Sequence, residues 1–276
     1  MGLRERIGVD LGRRVKLEDG IEWAATNDVR YIVIQLDTAA NAVTAFDDER
    51  AERVRQLAAR HGVTLGLHTL SAVNVAEYSP YVADAVDAYL KSYIDIYSKL
   101  GARWIVVHAG YHFSSDVEMR MQAGCERLKR MVDYAEKKGA VLYLENLNSE
   151  PPDAEVHYLA HTVAEWMYYF ERIESPNFRM SFTANHAHLV ADGVDGFIDA
   201  IDFSRVGEVR LADCHRLGKE EHLQPGAGDL DFANLFRRLE AKGFCGHYMN
   251  AFGTLDDMLD GREYELEQAR HAGVAI

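Results

Sequence analysis

The chain has 276 residues, of which 48% are hydrophobic and 27% are charged, and its formal net charge is −14. A net negative charge disfavours nonspecific binding of nucleic acid, which depends on clustered Lys and Arg, although it leaves room for a local basic pocket. No run of about 18 apolar residues occurs, so we expect neither a membrane-spanning helix nor a membrane partner.

The composition predicts a single domain over residues 1–276, because only five prolines and no low-complexity or Gly/Ser-rich linker interrupt the chain. The N-terminal stretch MGLRERIGVD lacks the apolar centre of a signal peptide. Cys125, Cys214 and Cys245 are widely spaced and odd in number, as is typical of reduced thiols. We therefore expect a cytoplasmic protein.

Short apolar or β-branched runs alternate with longer amphipathic stretches along the whole chain. The runs predict eight strands at 6–11, 31–36, 64–70, 104–110, 141–147, 178–182, 208–213 and 246–252. The clearest helical patterns lie at 47–61, 79–100, 114–138 and 232–242. Each is followed by a glycine, at Gly62, Gly101, Gly139 and Gly243, where a helix commonly ends.

Alternating strands and helices predict parallel strands, because each return to the sheet crosses over through a helix. Eight such units predict an α/β fold of one (β/α)8 TIM barrel, in which chemistry lies at the carboxyl ends of the strands. An open doubly wound sheet is the alternative. The stretch VDLGRRVKLEDG after the first strand lacks the glycine-rich phosphate loop which that fold favours.

Polar residues end most of the predicted strands. They are Asp10, Gln35, His68, His108, Glu145, Asn146, Thr183, Arg210, Asp213 and Asn250, with His112, His186 and His188 just beyond strand ends. A single histidine on an apolar strand is more often structural than a ligand, but a shared position at this end of a barrel favours function. Glu145 is the sharpest case, because an unpaired carboxylate is costly to bury. His68, His108 and Glu145 together form a recognised zinc ligand set.

A second polar stretch runs from Arg210 to Phe232 and contains Arg216, Glu220 and His222. Lys219, Glu220 and Glu221 fit a solvated loop, whereas Arg216 and His222 are better suited to bind hydroxyl or anionic groups of a substrate. Neither a serine-hydrolase GxSxG elbow nor a phosphate-binding GxxxxGK[ST] loop occurs.

The motifs LGLHTLSAVNVAE, IVVHAG, LYLENLNS, FTANHAHL, RLADCHR and HLQPGAGDLDF resemble the xylose-isomerase-like barrel superfamily over roughly residues 7–252. That group includes sugar isomerases, ketose epimerases, inosose dehydratases and endonuclease IV. In its isomerases and epimerases, a Glu, an Asp, a His and a Glu hold one divalent metal. The matching positions here are Glu145, Thr183, Arg210 and Asn250. The resemblance therefore implies that most of this usual metal site is replaced.

The resemblance also implies alternative ligands. His68, His108 and Glu145 match one zinc site of endonuclease IV, and His186, Glu220 and His222 roughly match another. The bridging site of that enzyme is lost, which argues against cleavage of phosphodiesters. His186 and Arg216 match positions that contact the sugar in the epimerases.

We expect a sugar isomerase- or epimerase-like enzyme, or a related lyase, that acts by proton transfer on a polyhydroxylated or keto-sugar-like small molecule. The expected catalytic residues are Glu145, Arg210 and His186. The expected substrate-binding residues are His68, Asn146, Asn185, Arg216, His222 and Asn250.

The cofactor expectation is a divalent metal, zinc or manganese, held by His68, His108 and Glu145, with a metal-free site as the alternative. Two other functions stay open, namely a non-catalytic ligand-binding or partner-subunit barrel and a zinc-dependent hydrolase similar to endonuclease IV. No nucleic-acid partner is expected, and the resemblance leaves open a homo-oligomer, either a dimer or a tetramer.

Overall fold

The computed structural model describes residues 2–113 and 115–276, and eight parallel strands close into a barrel. In chain order the barrel strands are β1 (Ile7–Gly12), β2 (Tyr31–Ile34), β3 (Thr64–His68), β4 (Trp104–Val107), β6 (Leu142–Glu145), β8 (Phe178–Thr183), β9 (Val206–Leu211) and β10 (His247–Asn250). Two short strands, β5 (Tyr111–His112) and β7 (His157–Tyr158), pair antiparallel and join the loops that follow β4 and β6. The predicted (β/α)8 barrel is confirmed.

Helices surround the barrel. They are α1 (Leu3–Arg6), α2 (Leu17–Thr26), α3 (Asp48–His61), α4 (Pro80–Leu100), α5 (Val117–Lys138), α6 (Val163–Phe170), α7 (Ala184–His188), α8 (Gly193–Ala200), α9 (Phe232–Ala241) and α10 (Leu255–His271), with 3-10 turns at Val43–Ala45 and Phe203–Arg205. Gly62 and Gly101 end α3 and α4 with φ of 66° and 72°, as their sequence positions predict. Ser114, where the predicted helical pattern 114–138 begins, lies outside the described residues.

The amino-terminal end of the barrel interior is filled by aromatic side chains. Trp104 and Tyr143 stack with ring centroids 6.3 Å apart, and both are buried. A Cβ on Gly66 would lie 2.1 Å from the Trp104 ring, and one on Gly207 would lie 2.3 Å from the Tyr143 ring. Glycine at these two strand positions therefore leaves the space that the large rings occupy, and the barrel has a solid floor below its open end.

A buried charged layer lies between this floor and the open end. Glu208 is fully buried on β9, and its carboxylate accepts hydrogen bonds from Ser181 Oγ at 2.9 Å and from His247 Nε2 at 3.0 Å. Arg210, two residues further along the same strand, donates to Glu208 at 3.2 Å. Successive inward side chains of a strand are two residues apart. Glu208 and Arg210 are therefore neighbours on the interior face of β9, and Arg210 lies nearer the open end.

No helix among residues 2–113 and 115–276 combines the length and the low polarity needed to cross a bilayer. The longest helices, α4 and α5, instead pack one face against the barrel, and their buried residues include Leu90, Ile94, Leu128 and Met131.

The carboxyl group of Glu265 on α10 is fully buried, and neither of its oxygens has a hydrogen-bond partner within residues 2–113 and 115–276. Burial raises the pKa of Glu265 well above its usual range, and the opposing effects of Asn250 and Arg262 are smaller. The folded state therefore binds a proton that the unfolded state releases as pH rises through the unfolded pKa, and stability is lost in that direction.

We expect Glu265→Gln to raise the melting temperature, because glutamine keeps the shape and cannot ionise. The gain should be larger near pH 8 than near pH 5, where Glu265 of the folded wild type is protonated and carries no charge. Thermal unfolding at both pH values measures it, with Glu267→Gln, exposed on the same helix, as the control. A difference that does not change with pH would contradict the prediction.

Candidate active site

The open end of the barrel holds a pocket of about 700 Å³, a volume in the range of small-molecule sites. Most of its lining is polar and comes from the carboxyl ends of the strands and the loops that follow them. Its lining includes Asp10, Arg13, Arg14, Gln35, His68, Thr69, His108, Glu145, Asn148, Glu150, Tyr158, His186, Arg210, Glu220 and His222. Six of the residues expected from the sequence, namely Glu145, Arg210, His186, His68, His108 and His222, meet in this pocket.

Glu145, His68 and His108 form a compact triad at the bottom of the pocket. Glu145 Oε2 lies 3.3 Å from Nε2 of each imidazole, and the two Nε2 atoms are 3.1 Å apart. A tetrahedral zinc ion with ordinary bond lengths separates its ligand atoms by about 3.3–3.4 Å. All three side chains are buried, so the triad has the spacing and the chemistry of a divalent-metal site with an open fourth position.

The ring of His108 is held in one tautomer by Thr69. The Thr69 hydroxyl donates its proton to the carbonyl of Val106 at 3.0 Å, so it accepts from His108 Nδ1 at 3.3 Å. Nε2 of a neutral His108 therefore presents a lone pair to the triad. Asp10 lies behind the other imidazole, with a carboxylate oxygen 3.6 Å from His68 Nδ1. Carboxylate or hydroxyl groups behind histidine are a recurrent feature of metal sites, where they orient the ring.

The charge state of the triad follows from its neighbours. Burial raises the pKa of Glu145, but His108, His68 and Arg210 together hold that pKa well below its usual range. Burial lowers the pKa of His108. Burial and Arg210 also lower the pKa of His68, but Asp10 and Glu145 raise it further, so the net shift is upward. A carboxylate and one neutral imidazole are thus ready to act as ligands.

The second oxygen of Glu145 faces away from the imidazoles. Oε1 accepts a hydrogen bond of 2.6 Å from the Thr183 hydroxyl and lies 3.5 Å from Arg210 Nε. Thr183 is therefore a partner of the carboxylate. The two oxygens have separate tasks, since one is held by the barrel wall and the other is available to a ligand.

Arg210 is surrounded by acidic groups. Its Nη2 pairs with Asp10, its Nη1 lies 3.2 Å from Glu208 and its Nε faces Glu145. Its side chain is only 3% exposed, and these carboxylates raise its pKa against the effect of burial. Because each nitrogen faces a carboxylate, Arg210, which the sequence suggested as a catalytic residue, neutralises and positions the acids around it.

His186, Glu220 and His222 form a second triad beside the first, since His186 Nδ1 lies 3.7 Å from Glu145 Oε1. Glu220 Oε1 lies 2.7 Å from His222 Nε2 and 3.7 Å from His186 Nε2. His186 Nδ1 donates to the carbonyl of Asn146 at 2.9 Å, which leaves the lone pair of this tautomer on Nε2, the nitrogen that faces Glu220. Burial lowers the pKa of His222, but Glu220 raises it to a net value above the ordinary one. These groups could also hold a metal ion.

Asn146 and Asn250 do not line the pocket, although the sequence suggested that they bind substrate. Asn146 exchanges two hydrogen bonds with the backbone of Thr183, at 2.7 and 3.1 Å. Asn250 donates to the carbonyl of Met258 on α10 at 3.0 Å. Each follows an inward residue on its strand, Glu145 or Met249, and alternation turns it outward.

Asn185 and Arg216 also lie outside the pocket. Asn185 is buried and donates to the carbonyl of Glu221 at 3.3 Å. The Arg216 guanidinium binds the carbonyl of Ala191 at 3.0 Å and lines a separate cavity beside α8. Both follow strand ends in the sequence, but helix α7, which contains Asn185, and the loop that carries Arg216 turn them away from the barrel axis.

Several pocket residues were not among those expected to bind substrate or metal, notably Asp10, Gln35, Arg13, Arg14 and Tyr158. Their positions offer different signals. Asp10 and Gln35 continue the inward-facing alternation at the carboxyl ends of β1 and β2, and the sequence pattern reveals both. The two arginines follow β1, whereas Tyr158 comes from β7, a strand that the apolar pattern did not predict.

Asp213 organises the loop that carries Glu220 and His222. Its carboxylate accepts backbone hydrogen bonds from Gly226 at 2.8 Å, Gly228 at 3.0 Å and Leu230 at 3.1 Å. A Cβ on Gly228 would lie 2.4 Å from the Asp213 carboxylate, so glycine is needed for this close approach. Asp213, two residues beyond β9, thus supports the site without lining it.

The geometry defines a (β/α)8 barrel with paired acid–imidazole clusters at the carboxyl ends of its strands. The chain belongs to the xylose isomerase-like TIM barrel family, whose model matches residues 21–260. No curated protein sequence matches it.

Solved structures of sugar epimerases share the fold. A D-tagatose 3-epimerase-like protein is 20% identical with a TM-score of 0.80, over 97% of this chain and 98% of that one. D-psicose 3-epimerase from Clostridium cellulolyticum H10, crystallised with D-tagatose, is 16% identical with a TM-score of 0.80, over 98% and 100%. An L-ribulose 3-epimerase is 17% identical with a TM-score of 0.73, over 97% and 96%.

Proposed function

We propose that the chain is an isomerase or epimerase that moves a proton at a carbon next to the carbonyl of a keto-sugar-like substrate. The observation that carries the proposal is the buried Glu145 carboxylate, with one oxygen held by Thr183 and the other directed at two imidazoles under a polar pocket of about 700 Å³. Side chains that donate and accept hydrogen bonds suit a ligand rich in hydroxyl groups. The sugar epimerases of similar structure support this substrate class.

His68, His108 and Glu145 would hold a divalent metal. Two histidines and one carboxylate favour zinc, and manganese is the second choice. When bound, such an ion supplies a Lewis acid that polarises a carbonyl oxygen. The fit rests on the 3.1–3.3 Å spacing of the three ligand atoms and on the Thr69 contact that leaves a lone pair on His108 Nε2.

His186 is better placed than Glu145 to accept the proton from carbon. Its Nδ1 donates to a backbone carbonyl, so its Nε2 is free to take a proton. Glu145, by contrast, already binds Thr183 and has a lowered pKa. The Glu220–His222 pair, which faces His186, can return a proton to the neighbouring carbon.

Exchange of substrate hydrogen tests the proposal. The zinc- or manganese-loaded protein is incubated in D2O with ketopentoses and ketohexoses, and deuterium next to the carbonyl is followed by NMR together with conversion. We expect exchange and conversion of at least one ketose, and a loss of about 10²-fold or more in His186→Gln, because a general base contributes that much. His271→Gln, exposed at the end of α10, should behave as wild type.

Lack of exchange with every ketose would refute the isomerase proposal. A ketose that binds without exchange would then favour the non-catalytic ligand-binding barrel. The second triad supports one further candidate, a metal-dependent hydrolase. That candidate requires two metal ions per chain and cleavage of a phosphodiester probe such as bis(4-nitrophenyl) phosphate.

We further propose a single domain in the cytoplasm, consistent with Cys125, Cys214 and Cys245, which form no disulfide among the described residues. A homo-oligomer, dimer or tetramer, is part of the same proposal, and light scattering of the purified protein tests it.

A further inference from the structure

Arg13 and Arg14 follow β1 directly and both line the pocket. Arg13 is exposed, and within the described part of the chain its guanidinium makes no hydrogen bond and has no carboxylate within 4.0 Å. An arginine without an acidic partner leaves its charge and its donors available to whatever enters the pocket.

Arg14 is fixed in place by neutral groups. Its Nη1 donates to the carbonyl of Asp10 at 3.2 Å and its Nη2 to the carbonyl of Gly253 at 2.9 Å. These bonds orient the guanidinium between the loops after β1 and β10, but they do not cancel its positive charge. A Cβ on Gly12 would lie 2.9 Å from Arg14 Nη1, so the glycine, with φ of 54°, lets the guanidinium lie close to the backbone.

The carboxylates of the pocket are engaged elsewhere. Asp10 pairs with Arg210 through Oδ2 and accepts the backbone N–H of Gly12 through Oδ1 at 2.7 Å. Glu220 binds the imidazoles of the second triad, and Glu150 accepts from Asn148 at 2.6 Å. Among the residues that the structure describes, two positive charges at the pocket are thus left without a carboxylate partner, in a chain with a net charge of −14.

We propose that the substrate of this site carries an anionic group, a phosphate or a carboxylate, and that Arg13 and Arg14 bind it. The planar fork of a guanidinium matches the oxygens of both groups. Arg14 provides a contact oriented by its hydrogen bonds, and Arg13 provides an exposed guanidinium beside it. Binding energy from such a remote group can orient the sugar carbons towards the imidazoles. This inference rests on the proposed function for the nature of the rest of the substrate.

Calorimetric titration of the metal-loaded protein with D-fructose, D-fructose 6-phosphate and D-fructuronate tests the inference. We expect at least one of the two anions to bind at least about tenfold more tightly than D-fructose, because an anionic oxygen forms stronger hydrogen bonds with a guanidinium than a hydroxyl group does. The better anion tells whether the site takes a phosphate or a carboxylate. Arg13→Gln and Arg14→Gln should each weaken the anion about tenfold and leave D-fructose unchanged.

Arg60→Gln is the matched control. Arg60 is exposed near the end of α3, which leads into the amino-terminal end of β3, so it lies at the opposite end of the barrel. The same change of charge there should not alter either affinity. Equal affinity for charged and neutral ketoses, absence of binding of both anions, or anion binding that survives both variants would overturn the inference.

The outcomes separate this inference from the proposed function. Arginine-dependent binding of an anion without hydrogen exchange would leave the anion site standing and refute the isomerase. Hydrogen exchange on a neutral ketose, with no preference for an anion, would support the isomerase and refute the anion site.

Discussion

Glu145→Gln should remove the bound metal and lower turnover by about 10³-fold or more. The wild-type protein should contain about one zinc or manganese ion per chain. Glu145 supplies the anionic member of the triad, with Oε2 at 3.3 Å from both imidazole nitrogens. A neutral amide is a weaker ligand and places an N–H or a carbonyl oxygen where the carboxylate stood. The substitution also loses the charge that faces Arg210 at 3.5 Å.

Elemental analysis of both proteins measures the metal, and the exchange assay in D2O measures turnover. Glu155→Gln is the control, because Glu155 is exposed in the loop after β6 and its substitution changes the net charge by the same amount. Metal retained at full stoichiometry in Glu145→Gln would place the ion elsewhere, with the second triad as the candidate. A metal-free wild type that still exchanges hydrogen would mean that a proton on His68 fills the centre of the triad.

The barrel could be predicted because two periodicities alternate eight times along the chain. Apolar strands of four to six residues and glycine-terminated helices such as α3 and α4 are local features that the sequence displays. The short pair β5 and β7 was missed, since two-residue strands have no period to detect. Its existence depends on the path of two loops that meet only in the folded barrel.

Alternation along each strand explains which site residues the sequence could place. His68, His108, Glu145 and Arg210 all face inward, and each lies at the carboxyl end of its strand or just beyond it. Asn146 occupies an outward position, so strict use of the two-residue period would have removed it from the predicted pocket, and the same holds for Asn250. Asn185 in α7 and Arg216 in a loop lie beyond the strands, so the strand period did not decide their direction.

The second large effect is expected at Arg210. Arg210→Met should lower the free energy of unfolding by about 3–5 kcal/mol, the usual cost of leaving a buried charge unpaired. Three buried carboxylates, those of Asp10, Glu145 and Glu208, face its guanidinium. Urea denaturation measures the change, and Arg60→Met is the control for loss of an exposed arginine. A loss below about 1 kcal/mol would mean that the acids find other partners.

A double variant tests how far the stability of buried Glu208 depends on the Arg210 cation. Without Arg210, Glu208 keeps Ser181 and His247 as partners but loses its cation. Removing the charge of Glu208 as well, in the double variant Glu208→Gln with Arg210→Met, should therefore recover part of the lost stability, as a double-mutant cycle would show.

The affinity for zinc should rise in Arg210→Met, although the stability of the metal-free protein falls. Arg210 and a metal ion both draw on the charge of Glu145, so Arg210→Met should bind zinc more tightly than wild type. Added zinc should then restore stability in Arg210→Met more than in the wild type, since a ligand stabilises the folded state in proportion to how tightly it binds. Weaker zinc binding by Arg210→Met would show that the guanidinium holds the ligand carboxylate in place, and that this positioning outweighs its competing charge.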